Sequence, residues 1–171
     1  MENFTNETID RKALPKFEAV QLSPIDTKYW RVILISIIGL FLLGIAIMVT
    51  LFFLVEEEFE HKPLLFSAYV TVFAIALLLS RISFKKKAYA FRNHDVIFRS
   101  GIIATNTMVI PYNRVQHVAL HEGFIARFFG LAKVEIFTAG GVSSDIEIPG
   151  ILKEEAENIK QLLMGKIQKQ L

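Results

Sequence analysis

Two apolar runs separated by only eight residues limit what this chain can become. Residues 32–55 (VILISIIGLFLLGIAIMVTLFFLV) carry no charge. At the helical rise they extend about 36 Å, enough to cross a hydrocarbon core of about 30 Å. Residues 64–80 (LLFSAYVTVFAIALLLS) sit near the lower limit of about 17 residues, and they reach residue 82 if Arg81 snorkels. The connector, residues 56–63 (EEEFEHKP), is too short to fold alone, so the two predicted helices are antiparallel neighbours. Uncharged runs this long read as membrane spans rather than as helices of a soluble core.

Flanking charge predicts the orientation. Lys28 and Arg31 precede the first run, Arg81, Lys85, Lys86 and Lys87 follow the second, and the connector holds four glutamates against one lysine. Lys and Arg collect on the cytoplasmic side of spans. Both termini are therefore expected in the cytoplasm, with the acidic connector outside and the protein in the cell (inner or plasma) membrane. Tyr29 and Trp30 fall where an interfacial aromatic belt is expected. The first run starts too late and is too long for a cleavable signal peptide.

The hairpin accounts for the mean hydropathy of +0.43 and leaves three parts: an N-terminal arm (1–23), the hairpin (24–84) and one small domain (85–171) with a modest core. The chain lacks cysteine, which excludes a disulfide framework and a thiolate metal site. The net charge of +2 is unevenly placed. Twelve Lys and Arg against eight Asp and Glu fall in residues 85–171, facing an anionic inner leaflet. In the arm, residues 17–22 alternate weakly, as a short strand or extended segment. Ser23 as N-cap with Pro24 behind it places the helix start near Pro24.

Neither apolar run contains Asp, Glu, Lys, Arg or His, which counts against a solute or proton pathway. Ser67, Thr71 and Ala74 share one helical face, where small residues permit close helix approach. Packing within the hairpin is the expected use of that face, and self-association is the alternative.

From Lys86 the period becomes two. Residues 88–92 and 96–103 read as a hairpin turning at 93–95, with Gly101 at a bulge. Residues 107–120 read as a long strand, bent or split near Pro111 and Asn113. A connector follows (123–130, GFIARFFG), then strands at 132–138 and 144–148 joined by a turn at 139–142 and ended by Pro149-Gly150. Leu152, Ala156, Ile159, Leu163 and Ile167 mark an amphipathic closing helix.

Together these residues resemble the bacterial PH-like, membrane-flanked domain family, within it the YdbS-like membrane proteins. The resemblance rests on two spans followed by YAF (89–91), RSG (99–101), PYNRVQHV (111–118), RFFGL (127–131), TAGG (138–141) and IPG (148–150). It covers about residues 20–165. It implies an α+β, mainly β, domain: a pleckstrin-homology-like, strongly bent antiparallel sheet closed by a C-terminal helix, lying on the cytoplasmic side of the hairpin. It implies a role in the fold for Arg114, Gln116, Gly130, Gly140 and Gly141. One departure is Leu152-Lys153, where members often place Asp or Pro before Glu-Glu-Ala, which weakens the expected helix cap. The family implies architecture, with no settled activity.

Motifs for chemistry are few. There is neither a Gly-x-Gly-x-x-Gly nor a P-loop. His117 and His121 share a strand face but would stand about 13 Å apart, too far to hold one ion. Ser83-Phe-Lys-Lys86 matches Ser-x-x-Lys by spacing alone. No catalytic residue, metal or cofactor is expected, and neither is an enzyme nor a nucleic-acid partner. Three features could bind. Arg81, Lys85, Lys86 and Lys87 could contact anionic lipid at about 1 kcal/mol per charge, or only set topology. Phe124, Ile125, Arg127, Phe128 and Phe129 are too apolar for an ordinary loop. They are expected to plug the open end of the sheet, the alternative being an interface with membrane or partner. A groove beside residues 114–116 and 138–141 could take a peptide by strand addition. The expected function is a non-enzymatic, membrane-anchored scaffold. It would be a homo-oligomer or pair with a related multi-copy PH-like membrane protein, the alternative being an accessory subunit of a transport or export assembly.

Overall fold

The computed structural model describes residues 19–54, 61–139 and 146–168. Residues 1–18, 55–60, 140–145, with Gly140 and Gly141, and 169–171 lie outside the described residues.

Two long helices form the hairpin, α1 (Lys28–Leu54) and α2 (Lys62–Lys86). Both are long and apolar enough to cross a membrane. Their apolar side chains are exposed along nearly the whole length; Val32 is the one buried residue of α1, and α2 has none. Such surfaces suit lipid, and helices satisfy their own backbone groups there. The two helices meet through aromatic rings. Phe41 stacks on Tyr69 at 5.1 Å and on Phe73 at 3.9 Å between centroids. The Tyr69 hydroxyl donates to the Phe41 carbonyl at 3.0 Å. Gly44 makes room, since a Cβ there would lie 2.1 Å from the Tyr69 oxygen. The expected packing face does not make this contact. Ser67, Thr71 and Ala74 are exposed, and the Ser67 and Thr71 hydroxyls donate to their own helix, at the Leu64 and Ser67 carbonyls.

The helix start also differs from expectation. Ser23–Pro24 is a two-residue strand, β1, paired with Tyr89 and Ala88. Proline tolerates that place because β1 is an edge strand. Asp26 fills the capping role instead, its carboxylate accepting the Lys28 N–H at 2.7 Å.

Beyond α2, strands β2 (Ala88–Phe91), β3 (Asp95–Ser100) and β4 (Asn106–Pro111) extend β1 into a four-stranded antiparallel sheet. A 3-10 turn, Tyr112–Arg114, leads to β5 (Val115–His121). The short helix α3 (Phe124–Phe128), β6 (Leu131–Thr138), β7 (Ile146–Leu152) and α4 (Lys153–Gln168) complete the chain. Strands β5, β6 and β7 form a second, three-stranded antiparallel sheet.

The expected single bent sheet closed by a helix is therefore corrected. There are two sheets, no strand pairing joins them among the described residues, and neither closes. The break lies at Pro111, which cannot donate to a ladder. Tyr112 then fixes the turn. It is buried, its N–H donates to the His94 carbonyl at 2.9 Å, and its hydroxyl donates to the Arg92 carbonyl at 2.6 Å. With the chain pinned there, β4 and β5 cannot continue as one strand. The two sheets share one core: Tyr89, Val96 and Phe98 from the first meet Val118, Val134, Ile136, Ile146 and Ile148 from the second. Helix α4 packs on β5, β6 and β7 through Ala156 and Leu163, with Ile159 half-buried beside them. Leu152, expected on that helix, ends β7 and is exposed.

Two punctuation residues act differently from their reading. Gly101 follows β3 rather than bulging it, at φ 128°, and a Cβ there would lie 1.9 Å from the Ala104 carbonyl oxygen. Pro149-Gly150 does not end its strand. Val134 pairs with Ile148 and Ala132 with Ile151, so both residues form a bulge opposite Lys133.

Candidate functional site

The bulge is where the domain seats on the hairpin. Gly150 has φ 69°, and a Cβ there would lie 2.6 Å from the Tyr29 Cβ. Its carbonyl accepts the Asp26 N–H at 2.9 Å. On the other side of the base, the Arg81 guanidinium lies over Trp30 at 4.6 Å and Phe84 at 5.5 Å. The start of α1 and the end of α2 are thereby both held.

The four cations of the expected basic collar fall into different environments. Arg81 is taken up by the aromatic pair. Lys85 is exposed. The Lys86 ammonium donates to the Ile102 carbonyl at 2.6 Å, tying the β3–β4 loop to the hairpin. Lys87 is half-buried beside α1, and its side chain makes no hydrogen bond or ion pair among the described residues. Burial lowers its pKa below the ordinary lysine value, while the charge of Glu147 opposes the shift.

Helix α3 lies against α1. Phe124 and Phe128 point outward, 75% and 72% exposed, with their rings edge to face at 5.3 Å. Ile125 and Phe129 are half-buried and Arg127 is exposed. So the two outer phenylalanines do not plug the fold. In the β3–β4 loop, Ile103 is 97% exposed. Sequence reading assigned Ile102 and Ile103 to a strand and missed them; their position after Ser100-Gly101 is the signal that the strand had ended.

Between α1, α3 and the bulge lies a cleft of about 520 Å³. Tyr29, Val32 and Ser36 form its hairpin wall, Phe124 and Ile125 its outer wall, and Lys87, Lys133, Glu147 and His121 its polar side. Lys133 holds Glu135 at 2.5 Å and Glu147 at 2.9 Å. Burial works against its charge, but the two carboxylates outweigh it and raise the pKa. A second cavity of about 420 Å³ shares Tyr29, Val32, Ser36 and Lys87 and runs between the two helices toward Leu79 and Ser83. Neither Lys133 nor Glu147 was a candidate from sequence, because their approach is cross-strand.

Of the motif residues, Arg114 ends the 3-10 turn and its carbonyl accepts the Ala139 N–H at 3.2 Å. Gln116 sits exposed at the irregularity between Val115 and His117. Gly130, at φ 67°, accepts the Lys153 N–H at 3.0 Å and so leads into α4. Gly140 and Gly141 lie outside the described residues. A groove of about 500 Å³ does run beside Arg114 and Thr138, with Met108, Val109, Ile110 and Pro111 as its other wall. Strands β4 and β5 each end their sheet. His117 stacks on Phe137 at 4.1 Å, and no group of three His, Asp or Glu among the described residues could hold a metal.

An apolar two-helix hairpin bearing one small two-sheet domain at its base defines a membrane protein of the anchored-domain kind. The family model described as Bacterial PH domain matches residues 32–167, and the chain belongs to that family. The chain is similar to UPF0699 transmembrane protein YdbS of Bacillus subtilis (strain 168), 32% identical over 146 residues that cover 82% of this chain and 87% of the relative. It is also similar to UPF0699 transmembrane protein YdbT of the same strain, 27% identical over 123 residues, 70% of this chain and 25% of that longer protein. No solved structure matches.

Proposed function

We propose that this protein is a non-enzymatic, membrane-anchored interaction module. It holds its domain against the cytoplasmic leaflet and assembles with a second copy or with a related membrane protein carrying several such domains. The observation that carries this reading is the depth of α3. The helix lies beside Val32 and Ser36, which belong to the apolar span, so its exposed phenylalanines stand at the level of the bilayer interface. Ile103, next to the Ile102 carbonyl that Lys86 holds, adds a further exposed apolar side chain. The basic residues at the base favour the cytoplasmic side for both termini.

Two surfaces remain for partners. The edges of β4 and β5 flank a groove, which suits strand addition. The Ser67, Thr71 and Ala74 face of α2 is not used by the hairpin and suits close helix packing in the membrane. The longer relative, of which this chain spans a quarter, supports a multi-domain partner of the same family.

Affinity purification of the tagged chain from membranes in mild detergent, read by quantitative mass spectrometry, tests the reading. Stoichiometric recovery of an untagged copy or of a multi-domain relative is expected. Recovery of the chain alone overturns it, and constant recovery of a transporter instead makes the chain an accessory subunit of that assembly.

A further inference from the structure

From the cleft at the hairpin base we infer that the protein holds one phospholipid molecule, its phosphate on the Lys87 ammonium and an acyl chain along Val32 and Ser36. The inference deepens the reading above and rests on it for the placement of the domain against the bilayer. The two cavities of about 520 and 420 Å³ are of the size of small-molecule sites, about 300–1,000 Å³. They share Tyr29, Val32, Ser36 and Lys87, so they adjoin around one cation.

The lining is split in a way that selects the ligand. The arm between the helices is mainly apolar, with Ile33, Ile37 and Leu79 beside Ser80 and Ser83. The arm under α3 adds Lys133 and Glu147. A soluble anion would leave the first arm empty, and a plain acyl chain would bring no anion to the Lys87 ammonium. A molecule with a phosphate next to a hydrocarbon chain fills both. Lys133 is already committed to Glu135 and Glu147. Lys87 is not committed in this way, and burial depresses its pKa, so an incoming anion would restore what desolvation removes. The depth agrees: Val32 and Ser36 are the first turn of the apolar run, where headgroup gives way to chain.

Native mass spectrometry of the purified full chain in detergent tests this with three probes: phosphatidylglycerol, diacylglycerol of the same chains, and inorganic phosphate. Phosphatidylglycerol is expected to saturate at one molecule per chain and to bind at least tenfold tighter than the other two. Lys87→Gln is expected to weaken it about tenfold, the scale of one charge-assisted hydrogen bond. Ser36→Phe, a change an apolar lipid-facing helix tolerates, is expected to weaken it by filling the shared arm, and Lys160→Gln, at an exposed position of α4, is expected to leave it unchanged. Equal binding of diacylglycerol or of inorganic phosphate overturns the inference, as does phosphatidylglycerol binding that ignores both Lys87→Gln and Ser36→Phe. The same spectra report assembly. Loss of the lipid with the complex intact overturns only this inference, and loss of the complex with the lipid retained overturns only the functional reading.

Discussion

The Arg81 guanidinium lies 4.6 Å from the centre of the Trp30 ring, and this pair ties the end of one membrane helix to the start of the other. Charge alone does not explain the choice of residue. A planar guanidinium stacks on an aromatic face, whereas an ammonium is a compact, strongly hydrated charge. Arg81→Lys is therefore expected to keep the orientation signal and lose about 0.5–1 kcal/mol of stability. Thermal unfolding in detergent measures this, with emission of Trp30, the single tryptophan, as the probe.

Gly150 joins domain to hairpin by having no side chain. Gly150→Ala meets two penalties, about 1–2 kcal/mol for a left-handed backbone and about 1–3 kcal/mol for overpacking against Tyr29. Only the second depends on Tyr29. In a Tyr29→Ala background the cost of Gly150→Ala is expected to fall to the backbone share. A double-mutant cycle by denaturant unfolding reads the difference.

These two contacts mark the limit of what the sequence made legible. The spans, the β2–β3 hairpin and the amphipathic α4 follow from composition and period, because each is set by residues near one another in the chain. The split at Pro111 was legible for the same reason. The consequence of that split was not: whether a broken strand leaves one bent sheet or two is decided by where Tyr112 finds its carbonyl partners, some twenty residues upstream. Pro149-Gly150 read as a terminator because its bulge serves Tyr29, over a hundred residues away. The four collar cations read as one signal, since their different partners, Trp30, Ile102 and the cleft, appear only once the domain is folded. Ser67, Thr71 and Ala74 lost the helix contact to Tyr69 and Phe73 because rings stacking on Phe41 over Gly44 fill the gap that small residues would leave.

Stability is expected to fall in alkali through Tyr112. Burial, helped by the negative charge of Asp95, pushes its phenol from 10.0 up to about 12. A folded-state value above the unfolded one means that the neutral form stabilises the fold. That contribution is fully present below about pH 10 and is lost as pH rises through about 12. Tyr112→Phe is expected to cost about 1 kcal/mol at neutral pH for the hydrogen bond to Arg92 and to flatten the loss between these values. Tyr89, whose pKa is also raised, first by burial and then by Glu155, keeps its own share of the alkaline loss in the variant. Denaturant midpoints from pH 8 to 12 measure both.

Phe128 is expected to reach the bilayer interface. With Trp30→Phe as background, Phe128→Trp provides a single reporter on the exposed side of α3. Its emission is expected to shift to the blue in liposomes and to be quenched most by lipids brominated near the headgroup. Emission as in water, with no quenching by any brominated lipid, would take α3 off the membrane.

The proposed assembly is tested most directly by the mass of the particle cut from native membranes with its surrounding lipid, without detergent exchange. Polymer-bounded discs carrying the tagged chain are expected to contain at least two protein chains, either copies of this one or this one with a multi-domain relative, at a ratio that persists on dilution. Discs that hold one chain and no second protein, at every expression level tried, would contradict it.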